Sequence, residues 1–328
     1  MLTGEEGAGR SPRIGIVTVK DDLHAHVVAH HLALEHGVTP QIIEADTLST
    51  TPGLTWRCGD GPPRASVRAG ARRIDVGALD VLWWRRVNYP QVATRGMEGA
   101  PAADLINNDQ SAALHGALAT DFRGRWIDHP DAVRAAENKL VQLSVARDLG
   151  LRIPATLVSQ DPGEVRAFIA EQRAGVIAKP VRGTHRAGLL AGTVDGSLSD
   201  GSIMSCPTIY QELVPGSRHL RVHVFGDTVV CAQIDSPLLD WRADLRTGIR
   251  VVGLDDALES LLQQCLQRLG LTMGVFDLKV TDDGEVVWLE VNPQGQFLFV
   301  EALTGAPLGR TFARFLLRAA SARSTVPA

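Results

Sequence analysis

The chain has 328 residues, of which 45% are hydrophobic and 21% are charged, and its formal net charge at pH 7 is −4. These values exclude a disordered or collagen-like chain. The slightly negative net charge does not predict the positive surface potential that attracts nucleic acid. Apolar runs stay short of the ~18–20 residues that a membrane span needs, and the first twelve residues carry no apolar signal segment. We therefore expect a cytoplasmic protein of two or three subdomains with a short loose tail at each end.

The numbers of cysteines and lysines limit the kinds of functional site that the sequence predicts. The four cysteines are scattered without a CxxC pair, so neither a zinc knuckle nor a disulfide framework is predicted. Only four of the 33 basic residues are lysines: Lys20, Lys139, Lys179 and Lys279. Each lysine is therefore a candidate functional group.

The N-terminal third predicts an α/β domain. A β-branched run over 13–19 predicts a buried strand, Asp21-Asp22 offers an N-cap for a helix over 23–36, and Gly37 ends that helix. An apolar stretch over 41–45 follows. This βαβ order favours a parallel sheet.

The segments between residues 50 and 120 predict different kinds of secondary structure. Residues 50–77 alternate Gly, Pro and Arg with short apolar pieces and predict either a hairpin or a long loop. Residues 81–86 predict a buried strand that ends in Arg85 and Arg86. For these arginines two interpretations are open, binding of a substrate carboxylate or pairing with acids of the domain. Residues 103–120 are rich in Ala and Leu and predict a helix.

A single amphipathic helix is predicted after Pro130, which suits the first helical position. Apolar residues recur at three- and four-residue steps from Val133 to Ala146, and Gly150 ends the helix. We place the first domain boundary just before this helix.

The remaining elements alternate strands and helices. Strands are predicted over 155–158, 176–179, 208–213, 218–225, 228–234, 274–280 and 286–292, and helices from Asp161-Pro162, over 255–269 and over 308–321. Gly226-Asp227 predicts a two-residue hairpin turn.

The most informative segment is the hairpin over 274–292. Asp283-Gly284 predicts a type I′ turn, and a two-residue loop there makes Asp277 face Glu290, roughly 5 Å away between Cβ atoms. Asn292 points to the same face as Glu290 because side chains alternate along a strand. Two like charges at that distance are costly without a cation between them, and oxygen ligands suit Mg²⁺. The hairpin therefore predicts a Mg²⁺–nucleotide site rather than a solvated surface.

An ordered set of residues resembles the ATP-grasp ligases. The set consists of Asn138-Lys139 in a helix, Lys179 at a strand end, Gln211-Glu212-Leu213-Val214, and then Asp277, Glu290 and Asn292. Four further segments narrow the resemblance to the ligases that macrocyclise ribosomally made peptides, the microviridin or graspetide group: Trp83-Trp84-Arg85-Arg86, Asp128-His129-Pro130, Ala136-Glu137-Asn138-Lys139 and Asn292-Pro293-Gln294-Gly295-Gln296. The resemblance extends from about residue 14 to 318.

The resemblance implies a fold and its divisions. The class is α/β (α+β), with a pre-ATP-grasp α/β domain followed by two α+β subdomains that sandwich ATP. The boundaries are 13–125 for the first domain, 126–213 for the central subdomain and 214–322 for the C-terminal subdomain, with tails over 1–12 and 323–328.

The resemblance also implies roles for individual residues. Lys139 and Lys179 bind the nucleotide phosphates, and the hinge formed by Gln211, Glu212, Leu213 and Val214 reads adenine, although an ordinary edge strand is the alternative there. Asp277, Glu290 and Asn292 hold Mg²⁺, as two ions. Arg221 grips phosphate and Arg242 contacts the transferring group, with a surface salt bridge as the alternative for Arg242. Arg182, His185 and Arg186 lie in a loop over 181–188 that contacts phosphate or substrate, or is simply a basic loop.

The implied activity is an ATP-dependent ligation. Asp or Glu side chains of a precursor peptide, with a leader and a core, are activated as acyl phosphates and closed into ester or amide cross-links. The alternative is a free-standing ligase that joins an amino acid to a small molecule or a protein tail. A third hypothesis, a nucleotide-binding scaffold without activity, is disfavoured by the intact metal and phosphate residues. Neither nucleic acid nor membrane is an expected partner, and the family suggests a homodimer.

Overall fold

The computed structural model describes residues 10–50, 53–85, 87, 101–182, 191–244 and 247–322. Its strands, in chain order, are β1 (Ile14–Thr18), β2 (Gln41–Glu44), β3 (Leu54–Arg57), β4 (Arg64–Ala69), β5 (Arg72–Asp75), β6 (Val81–Trp84), β7 (Arg125–Ile127), β8 (Thr156–Ser159), β9 (Val176–Pro180), β10 (Gly192–Val194), β11 (Thr208–Glu212), β12 (Arg218–Phe225), β13 (Thr228–Asp235), β14 (Gly248–Val252), β15 (Met273–Val280) and β16 (Val286–Asn292). Its helices are α1 (Leu23–His36), α2 (Pro101–Asp121), α3 (Pro130–Ala136), α4 (Lys139–Asp148), α5 (Pro162–Glu171), α6 (Asp200–Met204), α7 (Asp256–Arg268), α8 (Leu298–Thr304) and α9 (Leu308–Ser321).

These elements divide between two compact units. One comprises residues 1–130 and 307–328, and the other comprises residues 131–306. The second unit contains two separate antiparallel sheets. The finer boundaries implied by the family resemblance stay a prediction.

The first unit is built on a parallel sheet with strand order β2-β1-β6-β7. Asp22 caps α1 by accepting a hydrogen bond from the His24 N–H at 3.0 Å, and Gly37 ends the helix in the left-handed region at φ +64°. The predicted βαβ opening is therefore confirmed. Helix α9 packs against α1 and β6, where the Phe312 and Trp83 rings lie 4.5 Å apart between centroids.

Residues 50–77 are more ordered than a long loop. Strands β3, β4 and β5 form a three-stranded antiparallel sheet, in which β4 buries Ala65, Ser66 and Val67. Arginines occupy most of the exposed positions of these strands and interrupt the apolar runs from which strands are predicted. The hairpin interpretation was the closer one.

Arg85 pairs with an acid of its own unit. Its guanidinium is only 1% exposed, and its Nε donates to Asp22 Oδ2 at 3.3 Å. Thr18 donates to the same oxygen at 2.6 Å. Of the two interpretations given for this arginine, the structure shows the pairing with a domain acid; Arg86 lies outside the described residues.

The predicted helix after Pro130 is in fact two helices. Helix α3 ends at Ala136, and Asn138 begins α4 as an N-cap whose side-chain oxygen accepts from the Leu140 N–H at 3.0 Å. The expectation of one continuous helix was therefore wrong. Apolar periodicity continued across the break, but an asparagine cap can compete locally with the helix.

The larger sheet of the second unit has strand order β14-β13-β12-β15-β16, and all its pairs are antiparallel. One face is apolar and packs on α4 and α7, with a core that includes Leu143, Leu220, Val222, Leu262, Leu266, Phe276, Leu278, Trp288 and Val291. Because side chains alternate along each strand, the opposite face is left for polar residues. The predicted two-residue loop at Gly226-Asp227 is confirmed by the Phe225–Thr228 pairing.

The smaller sheet has strand order β10-β9-β11-β8. A separate apolar cluster of Val165, Val176, Ile203 and Tyr210 packs α5 and α6 against it. Among the described residues, helices are either too short or too polar to cross a membrane.

Candidate active site

The hairpin of β15 and β16 brings Asp277 opposite Glu290, as predicted. The predicted loop, however, was wrong. The Thr281 N–H donates to the Glu285 carbonyl at 2.9 Å, so three residues, Asp282 to Gly284, form the loop. A type I′ turn needs positive φ at both central residues, whereas here Gly284 has φ +94° and the two aspartates do not. A register shift between Asp277 and Leu278 restores the expected pairing.

Asp277 is held by a buried arginine. Arg221 faces it across β12 and β15, and its Nη1 donates to both carboxylate oxygens, at 2.8 and 3.0 Å. Arg221 Nη2 also donates to the Gln296 carbonyl at 3.1 Å. The guanidinium lies over the rings of Trp241 and Phe299, at 5.7 and 5.5 Å from their centroids. Charge, hydrogen bonds and aromatic contact therefore fix the Asp277 carboxylate.

Glu290 is paired with the first residue of α4. The Lys139 ammonium lies 2.9 Å from Glu290 Oε2. Buried Gln142 fixes this end of the helix, because its amide donates to the Val291 carbonyl at 2.8 Å and accepts from the Val291 N–H at 3.0 Å. The break between α3 and α4 thus delivers a lysine to the carboxylate hairpin.

Lys179 lies near the end of β9. Burial lowers its pKa to about 8, and the positive charges of Lys139 and Arg242 act in the same direction, against Glu290 and Asp277. With a pKa this close to neutral, Lys179 remains largely protonated at pH 7. Negative charge bound beside it would raise its pKa.

Arg242 forms a bidentate salt bridge with Asp240. Its Nε and Nη2 donate to the two carboxylate oxygens of Asp240 at 2.8 and 2.6 Å. These hydrogen bonds raise the pKa of Arg242 above its ordinary value, and the charges of Glu290 and Asp277 add to the effect. The salt bridge expected as the alternative is therefore present, yet Arg242 also faces the two hairpin carboxylates.

The two hairpin carboxylates differ in pKa. Burial raises the pKa of Asp277 in spite of the opposing Arg221, and the charge of Glu290 adds to the rise. Burial also opposes ionisation of Glu290, but Lys139 and Lys179 outweigh it and lower its pKa to about 2. A divalent cation between the two would favour the ionised form of both.

The donor set fits a hard cation. Asp277, Glu290 and Asn292 supply only oxygen atoms, and Mg²⁺ is typically bound by one or two carboxylates together with substrate phosphates. Within the described ranges, no three His, Cys, Asp or Glu side chains cluster as a metal site.

The predicted hinge comprises the last two residues of β11 and the two residues that follow it. Gln211 is buried and its amide donates to Thr156 Oγ1 at 2.8 Å. The N–H groups of Glu212 and Leu213 donate to the carbonyls of Ala155 and Gly175, each at 2.9 Å. These two N–H groups are therefore already engaged, and the Val214 N–H comes next along the segment.

One cleft of about 440 Å³ brings most of the predicted residues together. Its lining includes Lys139, Lys179, Gln211, Glu212, Val214, Arg242, Asp277, Glu290 and Asn292. Leu213 and Arg221 are not part of the lining, although Arg221 reaches the cleft through Asp277. Arg182 lines it too, while residues 183–190 of the predicted basic loop, with His185 and Arg186, lie outside the described residues.

Sequence reasoning missed several residues of the cleft. Lys279 and His219 line it, so three of the four lysines of the chain lie around this site. The rarity of lysine drew attention to Lys279, but only the strand pairing places it beside the carboxylates. Asp240 and Trp241 also line the cleft, and neither was singled out.

Comparison with known proteins identifies the fold. No protein-family model matches the chain, and no curated protein matches it. The macrocyclase MdnC from Microcystis aeruginosa, bound with precursor peptide MdnA, superposes with a TM-score of 0.81 at 24% identity, covering 93% of this chain and 99% of that one. A RiPP-associated ATP-grasp ligase from Chryseobacterium gregarium, in complex with ADP and a leader and core peptide, gives 0.82 at 21% identity, with 94% and 97% covered.

A third structure agrees. The ATP-grasp ligase PsnB, complexed with a minimal precursor, Mg and ADP, gives a TM-score of 0.74 at 23% identity, with 94% of this chain and 97% of that chain covered. The predicted fold class is thereby confirmed: this chain has the ATP-grasp fold along nearly its whole length.

Proposed function

We propose that this protein is an ATP-dependent ligase that closes ester or amide cross-links within a ribosomally made precursor peptide. The observation that carries the proposal is the convergence of Asp277 and Glu290 with Lys139, Lys179 and Arg242 on one cleft. Two carboxylates beside three cationic side chains suit a nucleoside triphosphate and its metal ion.

The two lysines and the hinge hold the nucleotide. Lys139 and Lys179 supply ammonium groups from two different elements, and ammonium groups bind phosphate as point charges. Lys139 would exchange its contact with Glu290 for phosphate. At the other end of the cleft we assign the Val214 N–H to adenine, since the N–H groups of Glu212 and Leu213 are engaged elsewhere.

Asp277, Glu290 and Asn292 would hold Mg²⁺ together with phosphate oxygens of the nucleotide, and we propose two ions. When bound, the metal neutralises the charge that develops on the transferring phosphoryl group. Arg221 orients the Asp277 carboxylate through two hydrogen bonds; its direct contact with phosphate stays a prediction. Arg242, oriented by Asp240, is the group we assign to the transferring phosphate.

The reaction proceeds in two transfers. The substrate carboxylate attacks the terminal phosphate of ATP, giving an acyl phosphate and ADP. A hydroxyl or amine then attacks the acyl carbon and releases phosphate, leaving an ester or an amide. The protein positions the groups and neutralises charge, and no enzyme nucleophile is needed.

A precursor peptide is the proposed substrate. All three comparison structures were solved with precursor peptides, and they superpose over more than nine-tenths of this chain. A leader and a core are therefore the expected parts of the substrate. The predicted homodimer stays a proposal.

The test uses the purified full-length protein, ATP, Mg²⁺ and a short peptide encoded beside its gene. We expect the peptide mass to fall by about 18 Da for each bond closed, with one ADP released per bond. An unchanged peptide, with ATP consumed only when free amino acids are supplied, would favour the free-standing ligase instead. No nucleotide turnover under any of these conditions would contradict both.

A further inference from the structure

Four exposed arginines share one face of the three-stranded sheet formed by β3, β4 and β5. Arg57 lies directly opposite Arg64 across β3 and β4. Arg68 lies directly opposite Arg73 across β4 and β5. Because side chains alternate along a strand, the four point to one side of the sheet, and buried Val67 points to the other. We call the side that carries the four arginines the arginine face.

The positive charges of the arginine face are not balanced by acids of the chain. Among the described residues, none of the four arginines forms an ion pair or a side-chain hydrogen bond. Exposed arginines elsewhere do pair with a nearby acid, as Arg134 does with Asp131 and Arg147 with Asp148. Like charges directly opposite each other destabilise a sheet, so both arginine pairs cost the free protein stability. An anionic group bound between the two arginines of a pair would offset that cost.

The spacing of the two arginine pairs limits the ligands that fit. Arg64 and Arg68 are four residues apart on β4, which separates the pairs by about 13 Å. Thr55, Ser66 and Asp75 lie between the pairs and face one another across the three strands. The arginine face therefore suits a ligand with two anionic groups about 13 Å apart and without negative charge in the middle, where Asp75 would repel it.

An extended acidic peptide meets these requirements. Such a chain rises about 3.3 Å per residue and alternates its side chains, so its residues i and i+4 point the same way about 13 Å apart. Its residue i+2 can be uncharged or basic where it meets Asp75. A nucleic-acid strand, in contrast, carries a charge about every 3.4 Å of its axis and would place phosphate against Asp75. The net charge of −4 of the whole chain adds no attraction for nucleic acid.

We propose that the arginine face docks an extended acidic peptide segment, with carboxylates at positions i and i+4 and an uncharged or basic residue at i+2. One carboxylate binds between Arg57 and Arg64 and the other between Arg68 and Arg73, since planar guanidinium groups donate well to carboxylate oxygens. The arginine face belongs to the unit of residues 1–130 and 307–328, whereas the residues of the cleft belong to 131–306. The docking site therefore stands whether or not the cleft binds ATP.

The experiment titrates the full-length protein into short peptides with an uncharged trifluoroacetyl tag and follows binding by ¹⁹F NMR, which detects weak complexes. The probe is Gly-Glu-Ala-Ser-Ala-Glu-Gly, and the control peptide of equal composition, Gly-Glu-Ala-Ser-Glu-Ala-Gly, moves the second acid to i+3. We expect wild type to bind the probe about threefold more tightly than the control peptide and to lose both at about 0.5 M salt.

Two double variants locate the binding. Arg64→Gln with Arg68→Gln leaves one arginine in each pair and should weaken the probe about tenfold. Arg173→Gln with Arg268→Gln is the matched control, because both arginines are exposed and form no ion pair in the described ranges. This control removes the same charge and should leave the affinity within about twofold.

Several results would overturn the docking site. Equal binding of the two peptides by wild type would exclude the spacing, and equal losses in the two double variants would exclude the location. Tighter binding of a fluorine-labelled thymidine oligonucleotide, lost in Arg64→Gln with Arg68→Gln, would assign the arginine face to phosphate instead. Thermal unfolding checks that each variant folds, and the variant of the arginine face should unfold no earlier than wild type because it relieves like-charge repulsion. The comparison of the two peptides on wild type stands even where a variant does not fold.

Discussion

Replacing Glu290 by Gln removes one charge from the centre of the cleft and keeps the shape of the side chain. Glu290 is bonded to Lys139 at 2.9 Å and is 22% exposed. The variant leaves Lys139, Lys179 and Arg242 facing a neutral amide. We expect it to lose Mg²⁺-dependent ligation and also to lose stability.

The pKa of Glu290 gives the size of the stability effect. A fall from 4.5 to about 2 corresponds to about 3 kcal/mol in favour of the charged form. Solvent screening of a partly exposed side chain reduces this to about 2 kcal/mol. Because the folded-state pKa is lowered, the contribution is fully present above the unfolded value near 4.5 and is lost as pH falls towards 2.

Urea unfolding of wild type and Glu290→Gln at about pH 7 and again near pH 3 measures this difference. Glu285→Gln is the matched control, since Glu285 lies on the same hairpin, is 51% exposed and approaches Arg152 only to 3.5 Å. We expect the control to change stability by less than about 0.5 kcal/mol. Equal stability of wild type and Glu290→Gln at pH 7, or a loss that does not shrink at low pH, would refute the charge assignment.

Three further substitutions test other parts of the site. The affinity of wild type for ATP should fall as pH rises through about 8, where Lys179 loses its proton, and Lys179→Arg should remove this dependence because arginine stays charged. Arg242→Lys cannot keep both hydrogen bonds to Asp240, so the rate of ligation should fall about tenfold or more with little change in fold. Gly216→Ala should lower the free energy of unfolding by about 2 kcal/mol, because Gly216 has φ +111° and lacks space for a Cβ.

The controls for these variants are specific. A pH dependence of ATP affinity that persists unchanged in Lys179→Arg would assign it to another group. A ligation rate in Arg242→Lys equal to that of wild type would reduce the Arg242–Asp240 pair to a surface salt bridge. Gly248→Ala, where a Cβ meets open space, should be close to neutral, and a similar loss in both glycine variants would contradict the packing argument at Gly216.

The carboxylate hairpin shows how far sequence reasoning reached. Alternation and the turn signal predicted that Asp277 faces Glu290, and the pairing is observed. The loop was assigned one residue too short, and the register shift next to Asp277 compensated for the error. Such a shift depends on how the strand packs against its neighbours, so it leaves no signature in a single sequence.

The other differences between the sequence predictions and the structure arise from features that apolar periodicity does not detect. The break between α3 and α4 rests on the side chain of Asn138, which apolar periodicity does not register. The individual strands β3, β4 and β5 were not predicted, because exposed arginines interrupt their apolar residues. His219 was not singled out from the sequence, since burial and an unpaired ring nitrogen are properties of the folded chain.

The central claim is that the chain transfers phosphate from ATP to a peptide carboxylate before the bond is closed. The most direct measurement labels the Asp and Glu carboxylates of the precursor peptide with heavy oxygen and analyses the released phosphate by mass spectrometry. We predict one labelled oxygen in inorganic phosphate for each bond closed, together with ADP. Unlabelled phosphate, or label recovered in AMP, would contradict activation of the carboxylate as an acyl phosphate.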